Sequence, residues 1–290
     1  CLSWRGPARG HLFDRAVIDM AARELGIDPI EIRRRNFIQP DQFPYTSAAG
    51  LQYDTGNYDA VMDKLVEIAD INGFPARRAA SQAKGMLRGL GVNSYIEACG
   101  IAPSNLVGIL GSRVGLYDAA TVRVNATGSL SVMVGAHSHG QGHETAFPQV
   151  VASMLGIDAA SIDIVHGDTA KIPFGMGSYG SRSLAVRGSA VVRATEKIIA
   201  KAKKIAAHML EASGGDIEFK EGKFSVAGTD KAVSFGEVAL KAYIPHNYPL
   251  DELEPGLEET AFYDPANFTY PAGAYACEVE VDPETGKVTI

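Results

Sequence analysis

The sequence predicts an α+β fold, with helices packed on mixed, mostly antiparallel sheets. Three observations point there. Short β-rich runs come as neighbours across tight glycine turns: Thr121 to Asn125 with Leu130 to Val134 across Thr127-Gly128, and Ile217 to Phe219 with Phe224 to Val226 around Glu221-Gly222. Strand pairs are followed by long amphipathic segments. The longest, from about Ser183 to Leu210, places Val191, Ala194, Ile198, Ala202, Ile205 and Met209 on one face. Finally, two glycine-rich turns each lead directly into a helical run.

The elements follow in order. Phe13, Val17, Met20 and Leu25 recur at helical spacing over Leu12 to Leu25, and Gly26 is a left-handed stop. Asp28 as N-cap, Pro29 at the first helical position and Glu31 two residues on restart a helix. Residues 38–57, rich in Pro, Gly, Tyr and Ser, read as an extended loop. Ala60 to Ile71 is amphipathic, followed by a shorter basic helix near Arg77 to Lys84. Gly89 to Glu97 is a strand, Glu144 to Leu155 a helix ending at Gly156, and Ile162 to Val165 a short buried strand. Val279-Glu280-Val281 alternates as a strand, Pro283 to Gly286 is a turn, and Lys287 to Ile290 starts a return strand.

A length of 290 residues suits one large or two moderate domains, and the expected division is 1–57 and 58–290, with the 38–57 loop as connector. Residues that are 46% hydrophobic and 21% charged are ordinary for a globular protein. No apolar run approaches the roughly 20 residues of a membrane helix. A net charge of −7 argues against a general nucleic-acid surface, and the Lys197, Lys201, Lys203 and Lys204 cluster reads as a solvated helix face. Cys1, Cys99 and Cys277 lie far apart, which argues against a disulfide framework and excludes an iron–sulfur cluster held by this chain alone. A reducing, cytoplasmic setting is expected. Cys1 at the start and a hairpin cut within its second strand suggest a piece of a larger polypeptide.

The chemistry-bearing residues cluster in the two glycine-rich turns. The first is His139-Gly140-Gln141-Gly142-His143-Glu144-Thr145, and the second runs from Gly175 to Ser183. Unpaired amides and the peptide dipole at a helix N-terminus favour anions, and glycine lets backbone approach a phosphate closely. Two such loops in one domain suggest a large phosphate-bearing cofactor. Gln141, between two glycines, presents a donor and an acceptor suited to a heterocycle or an oxo ligand, or else satisfies its own loop. Ser181, Arg182 and Ser183 could hold phosphate, Arg182 through its planar fork, or serve as ordinary caps. His137, His139 and His143 offer a zinc-ligand theme and thus a zinc hydrolase, against structural histidines in a polar loop. His166-Gly167-Asp168-Thr169 suggests a catalytic dyad, but directly after a buried strand it reads rather as a turn.

The ordered series Glu24 to Pro29, Arg33 to Ile38, Gln42 to Thr46, Gly140 to Thr145, Gly177 to Ser183 and Val279 to Gly286 spans the chain. It resembles the molybdopterin-binding large subunit of the xanthine dehydrogenase family, nearest to the aerobic carbon monoxide dehydrogenase large-chain group. The resemblance implies that Gly140, Gln141, Gly142 and His143 hold the molybdenum centre, with Gln141 near an oxo ligand. It implies that Ser178, Tyr179, Gly180, Ser181, Arg182 and Ser183 hold the pterin and its phosphate or dinucleotide tail, the cytosine dinucleotide form among them. It also implies hydroxylation of a small-molecule carbon centre with water as oxygen donor, and iron–sulfur and FAD partner subunits. The family's general-base glutamate lies in a Gly-Glu motif beyond Ile290, so the segment alone is expected to be inactive. Carbon monoxide oxidisers carry a copper-binding cysteine where this sequence has Gly6, and Cys1 is misplaced to replace it. A non-catalytic cofactor-binding or assembly module is therefore the alternative.

Overall fold

The computed structural model describes residues 16–101, 103–109 and 111–290; Cys1, Gly6 and the Trp4 to Arg9 stretch lie outside them. Helix α1 covers residues 16–25 and stops at Gly26. Helix α2 (Pro29–Arg34) is capped by Asp28, whose carboxylate accepts from Ile30 N at 2.8 Å and Glu31 N at 3.1 Å. Two amides that would otherwise lack a partner are thereby satisfied. The 38–57 segment is not featureless: it carries a small hairpin, β1 (Tyr45–Thr46) and β2 (Gln52–Tyr53). Then come α3 (Tyr58–Ile68), α4 (Phe74–Gln82), β3 (Leu87–Ile96) and α5 (Ser104–Ile109). The chain continues through β4 (Asp118–Val124), β5 (Leu130–Val134), α6 (His143–Leu155) and β6 (Ile162–His166). Helix α7 (Ser189–Leu210) follows one turn of π-helix, Ser183–Gly188. The remainder is β7 (Ile217–Lys220), β8 (Lys223–Val226), β9 (Ala232–Ser234), α8 (Phe235–Lys241), β10 (Leu257–Tyr263), β11 (Ala272–Val281) and β12 (Val288–Thr289).

These elements form two compact units. The first takes the chain up to Glu97 together with Thr269–Ile290. Its sheet, ordered β12-β11-β3, is antiparallel throughout, so the hairpin expected at 279–290 is the end of a much longer ladder from Ala272 to Val281. A charge network closes its surface. Arg77 meets Glu278 at 2.8 Å and Asp70 at 2.6 Å, and Arg88 bridges Glu278 and Glu280. The two guanidiniums hold the Glu278 carboxyl down at about 2.

The second unit, Ala98–Phe268, contains the main core. Its four-stranded sheet is ordered β10-β4-β5-β6; β5 and β6 run parallel because α6 crosses between them, and the other pairs are antiparallel. Helix α7 covers the sheet with the face read from the sequence: Val191, Ala194, Ile198, Ala202 and Ile205 are completely buried. The alanines let the helix lie close to the strands, while each valine or isoleucine there contributes about 1.5–3 kcal/mol by leaving water. The helix expected from Ser183 does not begin as an α-helix, because its first six residues are wound as the π-turn. Such turns are rare and recur at functional sites.

Candidate functional site

Strand β5 delivers the first glycine-rich loop and β6 delivers a histidine to the same edge. At that edge Gly135 passes Gly175 backbone against backbone. A Cβ on Gly135 would lie 2.3 Å from Gly175 Cα and 2.6 Å from Phe174 O, so no other residue fits either position. Gly177 N donates to Gly135 O at 3.3 Å. Ser178 Oγ donates to His137 O at 2.7 Å, and His137 N donates back to Ser178 Oγ at 3.2 Å. The fold thus brings together the two loops that lie about forty residues apart in sequence.

Gln141 sits exposed at the rim, its amide folded over its own loop: Oε1 accepts from His139 N and Nε2 donates to His137 O. Gly140, Gly142 and Gly177 have φ values of 95°, 77° and 81°, and a Cβ on any of them would enter open space. Helix α6 starts immediately after Gly142. Its Glu144 accepts from Ser138 Oγ and pairs with His166 Nε2 at 2.9 Å, pinning the end of β6 to the loop. The Glu144 carboxyl is held below its ordinary value first by its own backbone amide and also by His166 and Ser138.

Arg182 is not at the surface, which corrects the expectation that its fork grips phosphate. It is fully buried; Nε donates to Ile101 O at 2.6 Å, and its terminal nitrogens reach Asp118 Oδ2 at 2.7 Å and the carbonyls of Leu116 and Tyr117. The arginine builds the second loop from below, leaving Tyr179 and Ser181 exposed and Ser178, Gly180 and Ser183 half-buried at its surface. Arg187, from the π-turn, shares the same carboxylate at 2.6 Å and donates to Gly135 O and Gly177 O. Neither Asp118 nor Arg187 was singled out in the sequence. A lone acid opening the apolar run Asp118-Ala119-Ala120 was the available signal, because buried carboxylates need cationic partners.

The histidines do not assemble a metal site. The His137 ring lies 5.2 Å from His139 and 5.7 Å from His166, but His143 turns inward against Phe147. Among the described residues no three His, Cys, Asp or Glu side chains can hold an ion, so the zinc hydrolase reading is dropped. His143 is only 4% exposed, and both its ring nitrogens lack a hydrogen-bond partner. Burial, then the Arg187 charge, lower its pKa and favour the neutral ring. Asp168 accepts from Ala170 N at 3.0 Å, the turn-forming role.

Two crossing glycine-rich loops above buried arginines make a cradle, and its ownership is decided by sequence comparison: the molybdopterin cofactor-binding domain matches residues 64–290. The chain belongs to that family. Among curated relatives, the carbon monoxide dehydrogenase large chain of Hydrogenophaga pseudoflava is 40% identical over 99% of this chain and 36% of its own length. The nicotine 6-hydroxylase large subunit of Paenarthrobacter nicotinovorans is 35% identical over 98% of this chain and 35% of its own. Crystal structures of the Cu,Mo-CO dehydrogenase in its carbon monoxide reduced state and of quinoline 2-oxidoreductase from Pseudomonas putida 86 both superpose with a TM-score of 0.85, at 40% and 36% identity. They cover 95% and 96% of this chain and 35% of their own chains. The chain therefore spans about a third of the length of these relatives. The α+β architecture is that of this molybdopterin-binding family.

The residues present suit the family's cofactor. Open space above three left-handed glycines admits a bulky group, and the α6 N-terminus favours its anionic part. Buried nitrogens of His143 and Arg187 without partners mark the same place.

Proposed function

We propose that this chain forms the cofactor-cradling part of a molybdenum hydroxylase large subunit. The crossing of Gly135 and Gly175 carries this reading, because it unites two loops that neither strand nor helix alone would join. Gly140, Gln141, Gly142 and His143 would hold the metal end of a molybdenum–pterin cofactor, and Ser178, Tyr179, Gly180, Ser181 and Ser183 its pterin and phosphate or dinucleotide tail. When bound, the cofactor supplies two-electron oxidation of a carbon centre, with oxygen drawn from water. The chain's own residues bind and orient it. Backbone amides of the loops and the α6 dipole meet negative charge, while the exposed Gln141 amide offers a donor and an acceptor at the rim. Arg182 acts indirectly, by fixing the second loop from beneath.

A general base from a Gly-Glu motif elsewhere in the subunit, and iron–sulfur and FAD subunits as electron acceptors, complete the reading; a relative is itself a subunit of a dehydrogenase complex. The residues alone would then be inactive. An N-heterocycle or a similar small carbon centre is the favoured substrate class. Two relatives are named for nicotine and quinoline, and Gly6 stands where the copper-binding cysteine of carbon monoxide oxidisers would fall. The division at 57/58 into two cofactor-binding subdomains belongs to the same proposal; the family match that begins at residue 64 supports it, but the compact units divide the chain after Glu97 and return Thr269–Ile290 to the first. A reducing, cytoplasmic setting belongs to the proposal as well, supported by the wide spacing of Cys1, Cys99 and Cys277 in the sequence.

The test is molybdenum and pterin analysis of the assembled protein from a cofactor-competent host. Near-stoichiometric molybdenum with pterin is expected. Folded protein free of both would replace this reading with a non-catalytic module.

A further inference from the structure

Arg182 and Arg187 are both completely buried, and both pair with a single carboxylate oxygen, Asp118 Oδ2, at 2.7 and 2.6 Å. Among the described residues no other acid pairs with either guanidinium. Two cations and one anion leave one positive charge in excess, away from water. The charge is not evenly satisfied. Arg182 commits Nε and both terminal nitrogens to Asp118 and to backbone carbonyls, whereas Arg187 commits its terminal nitrogens, one of them to Ser183 Oγ at 3.3 Å, and leaves Nε buried without a partner. Isolated buried charge is costly, and proteins avoid it unless a partner or ligand completes the pairing. The excess lies directly under the loop crossing, since the Arg187 terminal nitrogen that reaches Asp118 also donates to Gly135 O at 3.0 Å and Gly177 O at 3.1 Å. The second unsatisfied group, His143, heads helix α6 on the same side and feels the Arg187 charge.

We infer that Arg187 supports cofactor binding: the buried positive charge that it shares with Arg182, only half balanced by Asp118, neutralises an anionic, phosphate-class group of the molecule held between the two glycine-rich loops. The inference rests on the cofactor reading above but adds a residue that no loop motif contains. The charge acts through the thin loop wall of Gly135 and Gly177, so it requires no direct contact by Nε. Asp118 sets the balance: one carboxylate for two guanidiniums steadies the pair without cancelling it.

The test compares the assembled holoprotein with Arg187→Gln and Arg187→Lys, from a cofactor-competent host. Glutamine keeps an amide N–H for the Gly135 and Gly177 carbonyls but has no charge; lysine keeps the charge but loses the fork. Pterin and molybdenum are measured per protein after desalting in rising sodium chloride, and the melting temperature of cofactor-stripped protein is measured in parallel. Arg187→Gln is expected to lose about tenfold or more of its pterin while the stripped protein melts near wild type, and Arg187→Lys to retain most of it. Wild-type pterin in Arg187→Gln at every salt concentration would overturn the inference while leaving the function intact. Equal pterin loss in both variants, tracking a lower melting temperature of stripped protein, would make Arg187 structural and overturn it as well. A wild-type protein without pterin would instead overturn the functional reading beneath it.

Discussion

Gly135 and Gly175 cross so closely that a Cβ on Gly175 would lie 2.2 Å from Gly135 Cα. This contact joins the end of a central strand to the start of the second loop. Replacing Gly135 with alanine forces the two backbones apart. A loss of about 1–3 kcal/mol in unfolding free energy is expected, together with lower pterin content. A denaturant midpoint identical to wild type would show that the crossing has slack.

Asp118 is the sole acid paired with two fully buried guanidiniums among the described residues. Asp118→Asn retains shape and removes the charge, leaving both arginines uncompensated. The expected cost is about 3–5 kcal/mol, read by chemical denaturation. A change within surface-mutation range would mean that water reaches the pair.

Glu278 titrates at about 2 in the folded chain, against an ordinary 4.5, chiefly through its hydrogen bonds to Arg77 and Arg88. A depressed carboxyl pKa means that the stabilising contribution is fully present above 4.5 and is lost as pH falls towards 2. Melting temperatures of wild type and Glu278→Gln should therefore differ most at neutral pH and converge through this window. Parallel pH profiles would disprove the assignment.

Gln141 hydrogen-bonds to the backbone of its own loop, and it is exposed. Gln141→Ala should shift stability by no more than about 0.5 kcal/mol. In the assembled enzyme turnover should nevertheless fall, because the rim amide is lost. Unimpaired turnover would remove Gln141 from the proposed machinery.

Much of the fold was legible in the sequence. The apolar stripe from Val191 to Ile205 is the buried face of α7, Asp28 caps α2, and Leu130 to Val134 is a strand with the expected bounds. These are local signals: periodicity and capping depend on neighbours a few residues away. Strand β10 was missed because Glu258 and Glu259 interrupt its apolar pattern, which only pairing with β4 makes acceptable. The π-turn at Ser183–Gly188 was likewise not legible locally; it carries Arg187, whose partner Asp118 lies on a distant strand.

The sequence by itself determined the layer class, the two glycine-rich loops and the family to which they belong. Glycine spacing and helix starts are properties of consecutive residues, and they can be read without knowing the fold. Only the tertiary structure decided what those loops do together. It crossed Gly135 over Gly175, withdrew Arg182 from the surface and set Arg187 beside it on one carboxylate. Long-range burial and charge balance dictated these outcomes, because desolvating a guanidinium is tolerable only where a distant strand supplies its partner.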